Sequence, residues 1–124
     1  MNKKILIIED EPKVSKAYSD HLGRVGYNVS LAHDGEEGLR MIKNNKPDLI
    51  LLDIIMPVMD GLTMLKLLKA DKDKNIANIP VIILSNLDTA DSVAEAVASG
   101  STNFLVKSNY SLEQLDAKVL SMLK

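Results

Sequence analysis

Residues 49–52 form a short, uninterrupted apolar run that Asp53 ends abruptly. A run without polar alternation fits a strand buried on both faces, as in the middle of a parallel sheet. Pro57 and Asp60-Gly61 then mark a loop and the entry to a helix. Such a strand needs helices over both faces, which commits the chain to an α/β architecture. Asp53 falls at the carboxyl end of the strand, where open α/β sheets place their ligand crevice. It could equally serve only to satisfy backbone donors there, and the rest of the chain decides between the two.

Four more segments read as strands: 4–8, 27–32, 81–84 and 102–106. Helical patterns lie between them. Pro12 suits the first turn of a helix with Val14, Ala17, Tyr18, Leu22 and Val25 on one face and Gly26 as its C-cap. Asp34 caps a second helix, with Glu37 as reciprocal partner and Leu39, Met41 and Ile42 on its apolar face. A third is expected over 61–70, with Leu62, Leu65 and Leu68 inward, followed by a charged loop over 71–78. Asp88 or Thr89 caps a fourth, with Val93, Ala94, Val97 and Ala98 on one face and Gly100 as its stop. Ser111 to Gln114 is a capping box opening the last helix, with Leu112, Leu115, Val119, Met122 and Leu123 inward. Five strands alternating with five helices by short connections require right-handed crossovers. The expectation is a doubly wound, flavodoxin-like three-layer α/β sandwich, a single domain over 1–124, with a five-stranded parallel sheet of order 2-1-3-4-5.

Composition removes several function classes. Fifteen Lys and Arg against 17 Asp and Glu leave a net charge of −2, no footprint for direct nucleic-acid binding. The absence of cysteine excludes disulfides, thiolate metal sites and cysteine nucleophiles. No apolar run approaches a membrane span, and the run over 5–8 is too short for a signal-peptide core, so a cytoplasmic domain without membrane contact is expected.

Polar residues stand at the carboxyl ends of four strands: Glu9 and Asp10, Asp53, Ser85 and Lys107. Each alone has a plain explanation as a helix-entry carboxylate, a turn hydroxyl or a solvated lysine. In a parallel sheet, however, all these ends share one rim, and neighbouring first and third strands bring the three carboxylates together. Each pair of charges about 5 Å apart costs roughly 3 kcal/mol at an effective dielectric near 20. Lys107 offsets part of this; a hard divalent cation, Mg²⁺ or Mn²⁺, cancels the rest and bridges to phosphate oxygens. Asp53 can then act as a nucleophile toward a phosphoryl group held by the metal, the Lys107 ammonium and the Ser85 hydroxyl.

The ordered set Glu9-Asp10, Asp53 with M-P at 56–57 and D-G at 60–61, Ser85 and Lys107 resembles the receiver domains of two-component response regulators, those of chemotaxis included. The likeness covers essentially the whole chain. It implies that Asp53 is the phospho-acceptor and that Glu9 and Asp10 bind Mg²⁺ with Asp53 and the backbone carbonyl of Ile55. Lys107 would contact the phosphoryl group, Ser85 would be the switch hydroxyl and Phe104 the aromatic switch position. The implied function is a phosphorylation-dependent signalling switch, not a classical enzyme, whose fourth helix, fifth strand and fifth helix change on phosphorylation. Its implied partners are a sensor histidine kinase or phosphotransfer protein and a downstream protein or covalently attached output domain. Phosphorylation-linked pairing of two copies through the last helix is also implied.

Three residues depart from the pattern. Asn86 stands where the family usually has a small residue after the switch hydroxyl. Ser108 replaces the proline that usually follows the lysine, and a cis bond before serine would cost about 2.5–4 kcal/mol, so a trans bond is expected. Ile55, two past the acceptor, cannot orient an attacking water, which argues against a haloacid-dehalogenase-like hydrolase. The E-D-E-P loop after the first strand argues against a flavin module. The rival reading is a degenerate receiver that binds partners without phosphorylation, motivated by Asn86 and Ser108.

Overall fold

Five parallel strands lie side by side in the order β2-β1-β3-β4-β5, the order expected from the strand–helix alternation. They are β1 (Lys4–Ile8), β2 (Asn28–Ala32), β3 (Leu49–Asp53), β4 (Val81–Ser85) and β5 (Phe104–Val106). A computed structural model of the chain describes residues 3–53, 61–85, 104–106 and 111–123, with only the backbone course at 53, 61, 62, 85 and 104–106. The expected helix from Asp88 or Thr89 lies outside the described residues.

Side-chain alternation divides the apolar runs between two cores. Leu6, Ile8, Ile50, Leu52, Val81 and Ile83 point to one face, against Ile42 of α2 (Gly35–Asn44) and Met64, Leu65 and Leu68 of α3 (Gly61–Lys69). Ile5, Ile7, Leu49, Leu51, Ile82 and Leu84 point to the other, against Leu22 of α1 (Pro12–Val25) and the last helix, Leu112–Leu123. β3 is therefore apolar from Leu49 to Leu52 because both of its faces are covered there. Leu51→Ala is expected to destabilise the fold by about 2–5 kcal/mol. Leu67→Ala, on the half-exposed face of α3, should stay within about 0.5 kcal/mol. Urea unfolding of both variants checks the pair, and equal losses would contradict this layering.

Local signals act as expected at several helix ends. Gly26 closes α1 with φ at 121°, a conformation costly for any residue with a Cβ. Asp34 accepts from the Glu37 amide at 2.8 Å. Glu37 reaches back one residue further than a capping box requires, its Oε1 accepting from the His33 amide at 3.0 Å. Ser111 and Gln114 make both bonds of their box.

Three expectations change. The 71–78 loop contains a short helix, α4 (Lys74–Ala77), because Asp73 accepts from the Asn75 amide and Ala77 is buried beneath it. The buried stripe of α1 centres on Ser15 and Leu22, which leaves Ala17 on the solvent side and Val25, at the helix end, 52% exposed. In the last helix, α5 (Leu112–Leu123), Leu115 and Val119 are buried but Leu112 is 39% exposed. Helical side chains tilt toward the N-terminus, so this first residue projects past the helix start.

Two polar contacts tie elements together. His21 Nε2 lies 2.8 and 2.7 Å from the two carboxylate oxygens of Asp116, joining α1 to α5. The carboxylate only accepts, so Nε2 carries the proton. Lys69, at the end of α3, donates to the Ile79 carbonyl at 3.3 Å. Burial holds its ammonium below the usual lysine range. The charged form is thus disfavoured in the fold, and that penalty is lifted as pH rises through the folded value toward the ordinary one near 10.5. Stability of the native chain relative to Lys69→Met should therefore rise across that alkaline interval. Denaturant melts of both proteins over this range test it; a difference that stays flat or falls would contradict it.

Candidate functional site

The register brings the expected site residues to one edge of the sheet. Ile8 stands level with Ala32 on one side and Leu52 on the other. One step further along both strands places Glu9 beside Asp53, and neighbouring strands lie about 4.8 Å apart. Asp53 is the last residue of β3, opposite Leu84, and Ser85 ends β4 opposite Val106. Phe104 opens β5 opposite Ile83, so its backbone lies within the sheet. The described backbone thus joins Glu9, Asp10, Asp53 and Ser85 along one carboxyl rim, with Lys107 next in sequence after β5.

Glu9 is 2% exposed, the most deeply buried charged residue among those described. Its amide donates to the Ala32 carbonyl at 3.0 Å, which fixes the end of β1 against the end of β2. Asp10 is half-buried and Glu11 exposed, so burial falls step by step as the chain leaves the sheet. Pro12 then starts α1 at once, with the Ser15 hydroxyl donating to its carbonyl at 3.2 Å. This abrupt turn into a helix holds the acidic pair at the rim.

A carboxylate buried to this depth requires polar partners or a cation. Carboxylate oxygens without sulfur or imidazole suit a hard divalent ion such as Mg²⁺. The residues present fit that ion. Among the described side chains no three His, Cys, Asp or Glu groups converge on one point. The third carboxylate expected there belongs to Asp53, of which the backbone is described. The side chains of Ser85 and Phe104, and Ile55, Asn86, Lys107 and Ser108 altogether, lie outside the described residues.

One feature of the rim had no counterpart in the sequence reading. Gly38 of α2 lies directly over Ile8, the residue before Glu9. A glycine inside an otherwise good helical pattern was its only trace in the sequence.

Comparison with known proteins places this geometry. The family model described as "Response regulator receiver domain" matches residues 5–120. The "Response regulator MprA" of Mycobacterium ulcerans is 35% identical over 127 residues, covering 100% of this chain and 51% of the relative. The protein of that name from Mycobacterium tuberculosis strain H37Rv is also 35% identical, with 52% of its length covered. The chain thus spans about half the length of the curated relatives it matches. Among solved structures, the Francisella response regulator 1452 receiver domain superposes with a TM-score of 0.87 at 34% identity, over 98% of this chain and 97% of that one. The Vibrio cholerae chemotaxis protein CheY4 gives a TM-score of 0.90 at 28% identity, over 99% and 100%.

Proposed function

The chain belongs to the response regulator receiver domain family, and we propose that it is a phosphorylation-dependent signalling switch that accepts a phosphoryl group on Asp53. The observation that carries the reading is the register, which sets Asp53 beside the buried Glu9 and half-buried Asp10 at one rim. Members of the family typically bind Mg²⁺ and are generally not classical enzymes.

In this reading an Asp53 carboxylate oxygen attacks the phosphorus of a phosphohistidine on a sensor kinase or phosphotransfer protein. The new O–P bond forms as the N–P bond breaks, and the leaving imidazole keeps the bonding pair. Glu9, Asp10, Asp53 and the Ile55 carbonyl would hold a Mg²⁺ ion, which supplies charge neutralisation for the phosphoryl oxygens. Lys107 contributes its ammonium to those oxygens and Ser85 its hydroxyl. Taking a two-state switch from 1:99 to 99:1 requires about 5.5 kcal/mol of differential binding, a load these contacts share. Phe104 and the surface around β5 and α5 respond to the change. Ile55 leaves the acyl phosphate without a carboxylate to activate water, which favours a held signal over rapid hydrolysis.

The downstream partner is a protein or an attached output domain, reached in the cytoplasm. The exposed Leu112 and Leu120 on α5 favour pairing of two phosphorylated copies through that helix. Among the described residues no helix is long and apolar enough to cross a membrane.

Asn86 and Ser108 motivate a second reading, a receiver that binds partners without phosphorylation. Incubation with a small acyl phosphate, with Mg²⁺ or with chelator, separates the two by intact mass. The switch gains one phosphoryl group only when Mg²⁺ is present; no gain under either condition favours the degenerate receiver.

A further inference from the structure

Basic residues gather in two stretches of an otherwise acidic chain. Positions 40–46 carry Arg40, Lys43 and Lys46 with no Asp or Glu, and positions 66–74 carry Lys66, Lys69, Lys72 and Lys74 against Asp71 and Asp73. Seven cations against two anions give these stretches a charge of +5, while the whole chain stands at −2. They form the end of α2 and the end of α3 with the loop into α4, neighbours on one face of the sheet.

An apolar groove of about 470 Å³ runs between them, lined by Leu39 and Lys43 on one side and by Leu67, Ala70, Asp71 and Lys72 on the other. Leu39 and Lys43 stand one turn apart on α2, so they share a face. Met64, Leu65 and Leu68 already supply the inward face of α3, which leaves Leu67, 50% exposed, for the groove. Among the described residues neither Lys43 nor Lys72 has a carboxylate partner. Asp71, the carboxylate at the lip, accepts from the Asp73 amide at 2.9 Å. The helix dipole explains a cation in the last turn of α2, where Lys43 stands. It does not explain Lys72, which lies beyond α3, or the exposed leucine in the same groove.

Apolar walls with unpaired ammonium groups beside them suit a segment that carries aliphatic side chains flanked by carboxylates. Nucleic acid fits less well, because no aromatic side chain lines the groove to stack on bases. A bilayer fits less well too, because the leucines line a groove instead of forming a broad apolar face. We propose that the α2–α3 groove is a docking site for an acidic, amphipathic helix of a protein partner, with Leu67 as its apolar anchor and Lys43 and Lys72 as its charge contacts. The groove lies on the opposite face of the sheet from α5 and uses no residue of the carboxyl rim. Docking there is therefore independent of phosphorylation at Asp53.

The test is fluorescence anisotropy of a labelled peptide about 15 residues long, enough to form a helix. It carries leucine at i, i+3, i+4 and i+7 with glutamate at the flanking positions. Controls are the same peptide with lysine for glutamate, and a scrambled acidic peptide of identical composition. The native chain should bind the acidic peptide about tenfold more tightly than either control, and more weakly as salt rises. Leu67→Ala, which keeps the fold, should lose about fivefold, and Lys43→Glu with Lys72→Glu about tenfold. The charge-reversed pair should then prefer the lysine peptide. Phosphoryl uptake, whatever its outcome, should be the same in the native chain and in both variants, which separates failure here from failure of the receiver reading. Equal binding of the acidic and scrambled peptides, binding that ignores these substitutions, or no binding of any peptide overturns the proposal. Binding to phosphatidylglycerol vesicles without peptide binding would make the face a membrane contact, and self-association relieved by Leu67→Ala would make it an interface between two copies; either result also overturns it.

Discussion

Asp10→Asn should weaken Mg²⁺ binding about thirty- to hundredfold, equivalent to roughly 2–3 kcal/mol. The substitution removes a full negative charge from beside a divalent ion while keeping the size of the side chain. Asp10 is half-buried, so solvent screens part of the interaction and the loss stays below that of a dry ion pair. Without metal the sign reverses: relief of repulsion from Glu9 and Asp53 leaves the variant as stable as the native chain or slightly more so. The contrast appears in melting experiments. At a Mg²⁺ concentration 100 times its dissociation constant the native chain gains about 2.7 kcal/mol. A variant binding a hundredfold more weakly gains only about 0.4 kcal/mol at that concentration. Equal stabilisation of both proteins would remove Asp10 from the metal site.

The sheet was legible in the sequence because most strands are blocks of apolar residues bounded by polar ones, β2 with its Asn28 and Ser30 being the less apolar exception. The runs at 49–52 and 81–84 leave no polar face, so only a strand covered on both sides accommodates them. From that followed the parallel sheet and its order, both of which the backbone bears out. The acidic pair was legible for the same reason, since Glu9 follows β1 without an intervening turn. Contacts fixed by distance rather than pattern were not legible. Leu112 fits the apolar stripe of α5 by spacing, yet its place at the helix start leaves it exposed. The His21–Asp116 contact joins residues 95 apart, with no local signature. The close approach of Gly38 to the Ile8 side chain likewise has no signature in the sequence. α4 was hidden because four residues are too few for a helical period to register.

Position along the rim also orders the chemistry. Glu9 is enclosed by the ends of β1 and β2, whereas Asp10 stands further out at the entry to α1. Burial therefore keeps Glu9 in place, and Asp10 is the more solvent-accessible carboxylate of the pair. Asp53 ends the next strand in the sheet, so its neighbours are set by strand pairing, a more rigid support than a loop.

The most direct measurement is the mass of the intact chain after exposure to a small acyl phosphate with Mg²⁺, for the native protein and Asp53→Asn. Asparagine preserves the size of the side chain and its capacity to accept a hydrogen bond but supplies no carboxylate oxygen to attack phosphorus. The native chain should gain the mass of one phosphoryl group and lose it on removal of the donor. Asp53→Asn should gain none. Equal phosphoryl gain in both proteins would place the acceptor elsewhere and contradict the assignment of Asp53.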